Sequence, residues 1–135
     1  MTATFSLNFA ALSIDCADPV ALADFWGKAL GRPVTLGAVP GDMAVDATDP
    51  DSGPWMLFHP VPDPEAAKNR LRPVLLTETY DEETGRLTGL GARPVNETRI
   101  PAVRLGGDLY AVRQTTFADP EGNEFDLVMW QRQPE

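Results

Sequence analysis

At 135 residues the chain is long enough for one domain with a real core, and its make-up (43% hydrophobic, 23% charged, no low-complexity tract) is that of a globular protein. A net charge of −9 repels phosphate, which argues against nucleic acid or an anionic membrane as partner. One cysteine, Cys16, excludes an intrachain disulfide, and one histidine, His59, excludes a zinc centre made of histidine and cysteine, so any metal would have to be held mainly by carboxylates.

The opening "MTATFSLNFAALSIDC" lacks both a basic start and a continuous apolar core, so it does not read as a signal peptide. No run approaches the length of a membrane span. With the single cysteine this fits a cytoplasmic protein.

In "LSIDCADPVALADFWGKALGRPV", Leu12, Ile14 and Cys16 alternate with Ala11, Ser13 and Asp15, the pattern of a strand with two distinct faces. Asp18 suits an N-cap and Pro19 the first helical position. Leu22, Phe25, Trp26, Ala29 and Leu30 keep helical spacing, and Gly31 is a natural stop. Three short strands are predicted next, around 33–37, around 42–48 and over "PWMLFHPV" at 54–61. "DPDSG" at 49–53 is a hairpin signal between the last two. "PDPEAAKNR", 62–70, is proline-rich and charged and reads as a connector.

The plan then repeats. "LRPVLLTET" reads as a strand whose Pro73 suits an edge or a start. Thr79 and Glu82 form a T-x-x-E capping box for a helix over 80–90. After "ARPV" the stretch "RIPAVRLGGD" is predicted as a loop, followed by strands over "LYAVRQTTFA" and "EFDLVMW". "LGRPV" at 30–34 answers "LGARPV" at 90–95, and "DPDSGPWMLF" at 49–58 answers "DPEGNEFDLV" at 119–128. A period of roughly 60–70 residues is too long for the usual solenoids and suits two βαβββ modules. Each alone would have a sheet covered on one face, which favours pairing them.

These features carry a resemblance. A strand, "ADP", a helix with "FW" ending in "LG", then "KNRL" and a closing "DPEGNEF" together resemble the vicinal oxygen chelate superfamily, in its glyoxalase-like branch. The resemblance covers about 8–131 and implies an α+β fold of the glyoxalase/bleomycin resistance/dihydroxybiphenyl dioxygenase type: two paired βαβββ modules forming curled mixed sheets around a cleft. On that plan 1–135 is a single domain, with module one about 8–61, a connector about 62–70 and module two about 71–131. Members of this architecture commonly form homodimers, so a homodimer is expected.

In catalytic members a divalent metal sits in the cleft, held by the first strand of each module and the last strand of the second. Carried over position by position, those slots fall on Ala11, Arg72 and Asp126. Only Asp126 could bind a metal, and Arg72 would repel one. No cofactor is therefore expected, a divalent metal being the disfavoured alternative, and Arg72 and Asp126 are expected to pair where a metal would otherwise sit. By strand alternation Asp126, Val128 and Trp130 face the cleft, while Phe125, Leu127 and Met129 pack under the helix.

His59 shares a strand face with Trp55 and Leu57 and is expected at the cleft rim, more as a solitary histidine than as a base with a partner. Cys16 reads as a small buried apolar residue, and Asp15 lies on the cleft-side face. Trp55, Trp130 and Tyr110 could wall a site for a flat ligand. The expected cleft lining is thus Ala11, Trp55, Leu57, His59, Arg72, Asp126, Val128 and Trp130.

Two functions follow from different classes. One is a metal-independent protein that binds a small organic ligand, with a cationic aromatic molecule suited to the acidic chain, as in antibiotic sequestration. The other is a divergent lyase, isomerase or dioxygenase-like enzyme with a rearranged or metal-independent site. A vestigial cleft with a protein partner has no specific support in the sequence.

Overall fold

In a computed structural model, residues 9–47, 53–62 and 71–135 are described. The segment 1–8, most of the "DPDSG" hairpin signal and the connector from 63 to 70 lie outside them. The chain forms two compact units, Met1–Pro64 and Glu65–Glu135. Each carries the βαβββ plan, so the fold is α+β with two four-stranded mixed sheets. No helix among the described residues is long and apolar enough to cross a membrane.

The first unit comprises β1 (Ala11–Cys16), α1 (Pro19–Leu30), β2 (Val34–Leu36), β3 (Met43–Val45) and β4 (Trp55–Pro60), in sheet order β1-β4-β3-β2. β1 and β4 run parallel and the other pairs antiparallel. Asp18 caps α1 by accepting the Ala21 N–H at 3.1 Å. Gly31 ends it at φ 66°, a left-handed turn that lets the Arg32 N–H reach the Gly27 carbonyl at 2.9 Å. The expected helix stripe is the core: Leu22, Phe25, Trp26 and Ala29 are buried together with Cys16, Val45, Met56 and Phe58. Helix α1 lies so close to β2 that a Cβ on Gly27 would meet Val34 Cγ2 at 2.5 Å and the Arg32 carbonyl oxygen at 3.1 Å.

The second unit comprises β5 (Val74–Leu76), α2 (Tyr80–Leu90), β6 (Arg93–Leu105), β7 (Asp108–Ala118) and β8 (Glu124–Arg132), in sheet order β5-β8-β7-β6. The repeated "LG" stop recurs: Gly91 turns at φ 115° and the Ala92 N–H reaches the Leu87 carbonyl at 3.0 Å. Helix α2 is tied to the sheet at its first residue. The Tyr80 hydroxyl bonds the Thr115 hydroxyl, and the Arg113 guanidinium lies 4.2 Å from the Tyr80 ring centroid. Arg113 also pairs with Asp81 at 3.1 Å and Glu97 at 3.3 Å. Desolvation pulls its pKa down, but the hydrogen bond it donates to Glu97 and the charge of Asp81 outweigh this and leave it raised.

Two expectations are corrected. The capping box does not form: Thr79 makes no side-chain cap bond, because its own N–H and hydroxyl are drawn to the Thr77 hydroxyl, at 3.0 and 3.4 Å. The acids Asp81, Glu82 and Glu83 still fill the first turn, where they complement the helix dipole. The stretch "RIPAVRLGGD" is not a loop. It continues β6 as an edge strand, and Gly106 and Gly107, at φ 61° and 92°, turn it into β7. Pro94 and Pro101 are accommodated beside register shifts at Pro94/Asn96 and Ile100/Val103.

The glycines give a paired test. Gly85 in α2 is exposed, with nothing within 4 Å of an added Cβ, so Gly85→Ala should stabilise the protein by ~0.5–1 kcal/mol in urea unfolding. Gly27→Ala should instead destabilise it by about 1 kcal/mol or more, because the methyl group is forced against Val34 and a backbone oxygen.

Candidate functional site

Asp126 answers for most of the site. The turn before it fixes its place. Asp119 Oδ1 accepts the N–H groups of Glu121 and Asn123 at 3.0 and 2.9 Å, Asn123 Nδ2 donates to both Asp119 oxygens, and Gly122 takes φ 88°. That turn sets Ala118 opposite Glu124 and therefore Thr116 opposite Asp126. On the other side of β8, the Asp126 N–H donates to the Pro73 carbonyl at 2.9 Å, which brings Arg72 alongside.

Asp126 is 4% exposed, and both its side-chain oxygens are engaged. Thr116 Oγ1 donates to Oδ1 at 2.6 Å, and Arg72 Nη2 lies 3.3 Å from Oδ2. The expected Arg72–Asp126 pair is present. Arg72 Nη1 is also 3.8 Å from Glu124 Oε1, so one guanidinium serves two carboxylates on the same face of β8. The pairing is loose and 42% of the Arg72 side chain stays exposed, which leaves guanidinium N–H groups facing solvent.

Strand alternation places Val128 and Trp130 on the Asp126 face, with Thr116, Gln114, Val112 and Tyr110 on the facing strand β7. Val128 is buried and Trp130 half-exposed. The Tyr110 and Trp130 rings lie 6.1 Å apart at 55°, a tilted pair at the end of this face. Val74 and Leu76 flank it on β5 and are exposed. Phe125 and Leu127 are buried on the opposite, α2 face, where Phe125 stacks on Phe117.

In the first unit Ala11, Trp55, Leu57 and His59 share one face of the sheet, with Ala11 opposite Trp55 and Asp15 opposite His59. His59 is not solitary. Its Nδ1 lies 2.7 Å from Asp42 Oδ1. Sequence reasoning missed three partners: Thr116, Glu124 and Asp42. Thr116 could be found by counting back across the "DPEGN" turn; Asp42, 17 residues from His59, has no such ruler.

Among the described residues no three His, Cys, Asp or Glu side chains gather in an arrangement that could hold a metal ion. Comparison with known proteins gives the lineage. The family described as Glyoxalase-like domain matches residues 11–128. The chain belongs to that family.

Solved structures agree on the fold. A glyoxalase/bleomycin resistance protein/dioxygenase family enzyme from Burkholderia phytofirmans is 14% identical, with a TM-score of 0.68 over 91% of this chain and 98% of that one. A superfamily member from Sphaerobacter thermophilus is 21% identical, with a TM-score of 0.63 over 92% and 98%. A fosfomycin resistance protein, FosX, from Listeria monocytogenes, solved with Mn(II) and 1S,2S-dihydroxypropylphosphonic acid, is 17% identical, with a TM-score of 0.66 over 92% and 90%. At such identities the likeness shows the fold alone. No curated protein matches.

The geometry ranks the contacts around Asp126. Thr116→Val strands a buried carboxylate oxygen and should cost ~1–3 kcal/mol in urea unfolding, whereas Arg72→Ala removes a longer contact from a half-exposed cation, which water can replace, and should cost at most about 1 kcal/mol.

Proposed function

We propose that this glyoxalase-like protein binds a small organic ligand on the helix-free face of its second sheet, without a metal, as a sequestering protein does. The observation that carries the reading is the state of Asp126. Its oxygens are taken by Thr116 and Arg72. The slots that the superfamily resemblance assigns to a divalent metal fall on a residue with no donor (Ala11), a cation (Arg72) and this engaged carboxylate. That donor set does not fit a metal, and no step through one is derived.

What the face offers instead is recognition. Trp130 and Tyr110 give a flat molecule an aromatic wall, and Val74 and Leu76 extend it with exposed apolar surface. Two carboxylates against one guanidinium leave the polar end with a net negative charge, and the whole chain carries −9, which favours a cationic aromatic ligand. A divergent enzyme is the second reading, and the contact between Asp42 and His59 is the observation in its favour.

Calorimetric titration of the metal-free protein with metal-free bleomycin, and separately with fosfomycin in the presence and absence of Mn(II), tests the proposal. Binding of the cationic drug without metal, weakened about tenfold or more by Trp130→Ala, is the expected result. Binding that appears only when Mn(II) is added would overturn it. Native mass spectrometry of the same sample should show a homodimer without stoichiometric metal.

A further inference from the structure

His59 is the chain's single histidine, and the structure gives it the arrangement of a supported base. Its side chain is 48% exposed, while the Asp42 side chain that faces its Nδ1 is only 17% exposed. Among the described residues His59 makes no other side-chain hydrogen bond. An Nδ1–H donated to Asp42 leaves Nε2 with its lone pair, which is the tautomer a proton acceptor needs.

The carboxylate is held in place by its backbone. In the turn between β2 and β3, the Gly37 N–H donates to the Asp42 carbonyl at 2.9 Å and the Asp42 N–H to the Val39 carbonyl at 3.0 Å. The two arms of the turn approach so closely that a Cβ on Gly37 would clash with Asp42 Cβ, so only glycine fits there. His59 itself is fixed by β4, which pairs with β1 on one side and β3 on the other. Base and orienting group thus sit on ordered backbone, and the base points to the face that also carries Leu57 and Trp55, with Asp15 opposite.

We propose that Asp42 and His59 form a metal-independent proton-transfer site on the helix-free face of the first sheet, with His59 Nε2 as the base and Asp42 as its positioning residue. The substrate class is a small, flat carbon acid. Nε2 takes the C–H proton as the carbanion's electron pair is delocalised or expels a leaving group, and the imidazolium then returns the proton to product or water. No oxidant, metal or second substrate enters that balance. The site does not rest on ligand sequestration by the second unit, and its test leaves that reading untouched.

Two measurements decide it. The first is the nitrogen NMR spectrum of the single histidine, followed upward in pH until the ring signals stop changing. The expected neutral form carries its proton on Nδ1, and Asp42→Ala should shift it to Nε2. A wild-type ring protonated on Nε2 would overturn the proposal. The second uses 5-nitrobenzisoxazole as probe. Removal of its ring C–H proton forms a nitrile as the N–O bond breaks, and the electron pair leaves on a coloured phenolate.

The protein should accelerate that elimination. His59→Gln should abolish the acceleration, and Asp42→Ala should reduce it at least about tenfold, with Asp42→Asn intermediate. Gly85→Ala, at an exposed helix position of the other unit, should leave it unchanged. Equal rates for the wild type and His59→Gln would overturn the assignment, as would an Asp42→Ala rate and pH profile matching those of the wild type.

Discussion

The carboxylate of Asp119, buried at the turn between β7 and β8, is the constraint on which the second unit depends. By accepting from the backbone of Glu121 and Asn123 it fixes the length and shape of that turn. Turn geometry in turn fixes the register of the hairpin, and a slip of one residue would send every side chain of β8 to the other face of the sheet. Asp126 would then lie under α2 among apolar side chains, and Phe125 would take its place beside Arg72. Burying an unpaired charge there would cost far more than the turn itself contributes. The polar turn and the polar site are therefore one specification, written seven residues apart from Asp119 to Asp126.

The two units run the same plan to different chemical ends. Each presents a helix-free sheet face whose parallel strand pair carries the ionisable groups. In the first unit these are Asp15 and His59, with Asp42 reaching in from a turn. In the second they are Asp126 and Glu124 on β8, with Arg72 reaching in from just before β5. One face holds an imidazole backed by a carboxylate, the other a guanidinium spread over two. The shared plan supplies the scaffold, and the residues at equivalent strand positions differ. Both helices end on the same "LG" stop, although α1 buries Leu22, Phe25 and Trp26 where α2 buries only Tyr80 and Leu87.

Much of this was legible in the sequence because the signals were local. The alternation of Leu12, Ile14 and Cys16, the Asp18–Pro19 start and the Gly31 stop are read within one turn of chain, and the structure has all three. Asp126 announced itself as an acid in an apolar strand. What escaped was decided between segments. The Thr79 capping box lost to a nearer acceptor, the Thr77 hydroxyl, which the T-x-x-E pattern does not weigh. The stretch "RIPAVRLGGD" looked like a loop because Pro101 and two glycines are loop residues by composition; its edge position, where a strand needs only one hydrogen-bonded side, is a property of the sheet. His59 looked solitary because Asp42 reaches it only through the pairing of β3 with β4.

The two prolines of β6 have a consequence of their own. Strand β6 is 13 residues long, lies at the border of its sheet and is exposed along most of its length. A border of that size is a template on which any passing extended chain could dock by main-chain bonding alone. Pro94 and Pro101 each delete a donor from it, and the register shifts beside them bend the ribbon out of regular spacing. An incoming strand would meet a ladder with missing rungs. Both prolines keep β6 from recruiting a stranger, so the protein carries a long exposed border and a built-in guard against fibrous self-assembly.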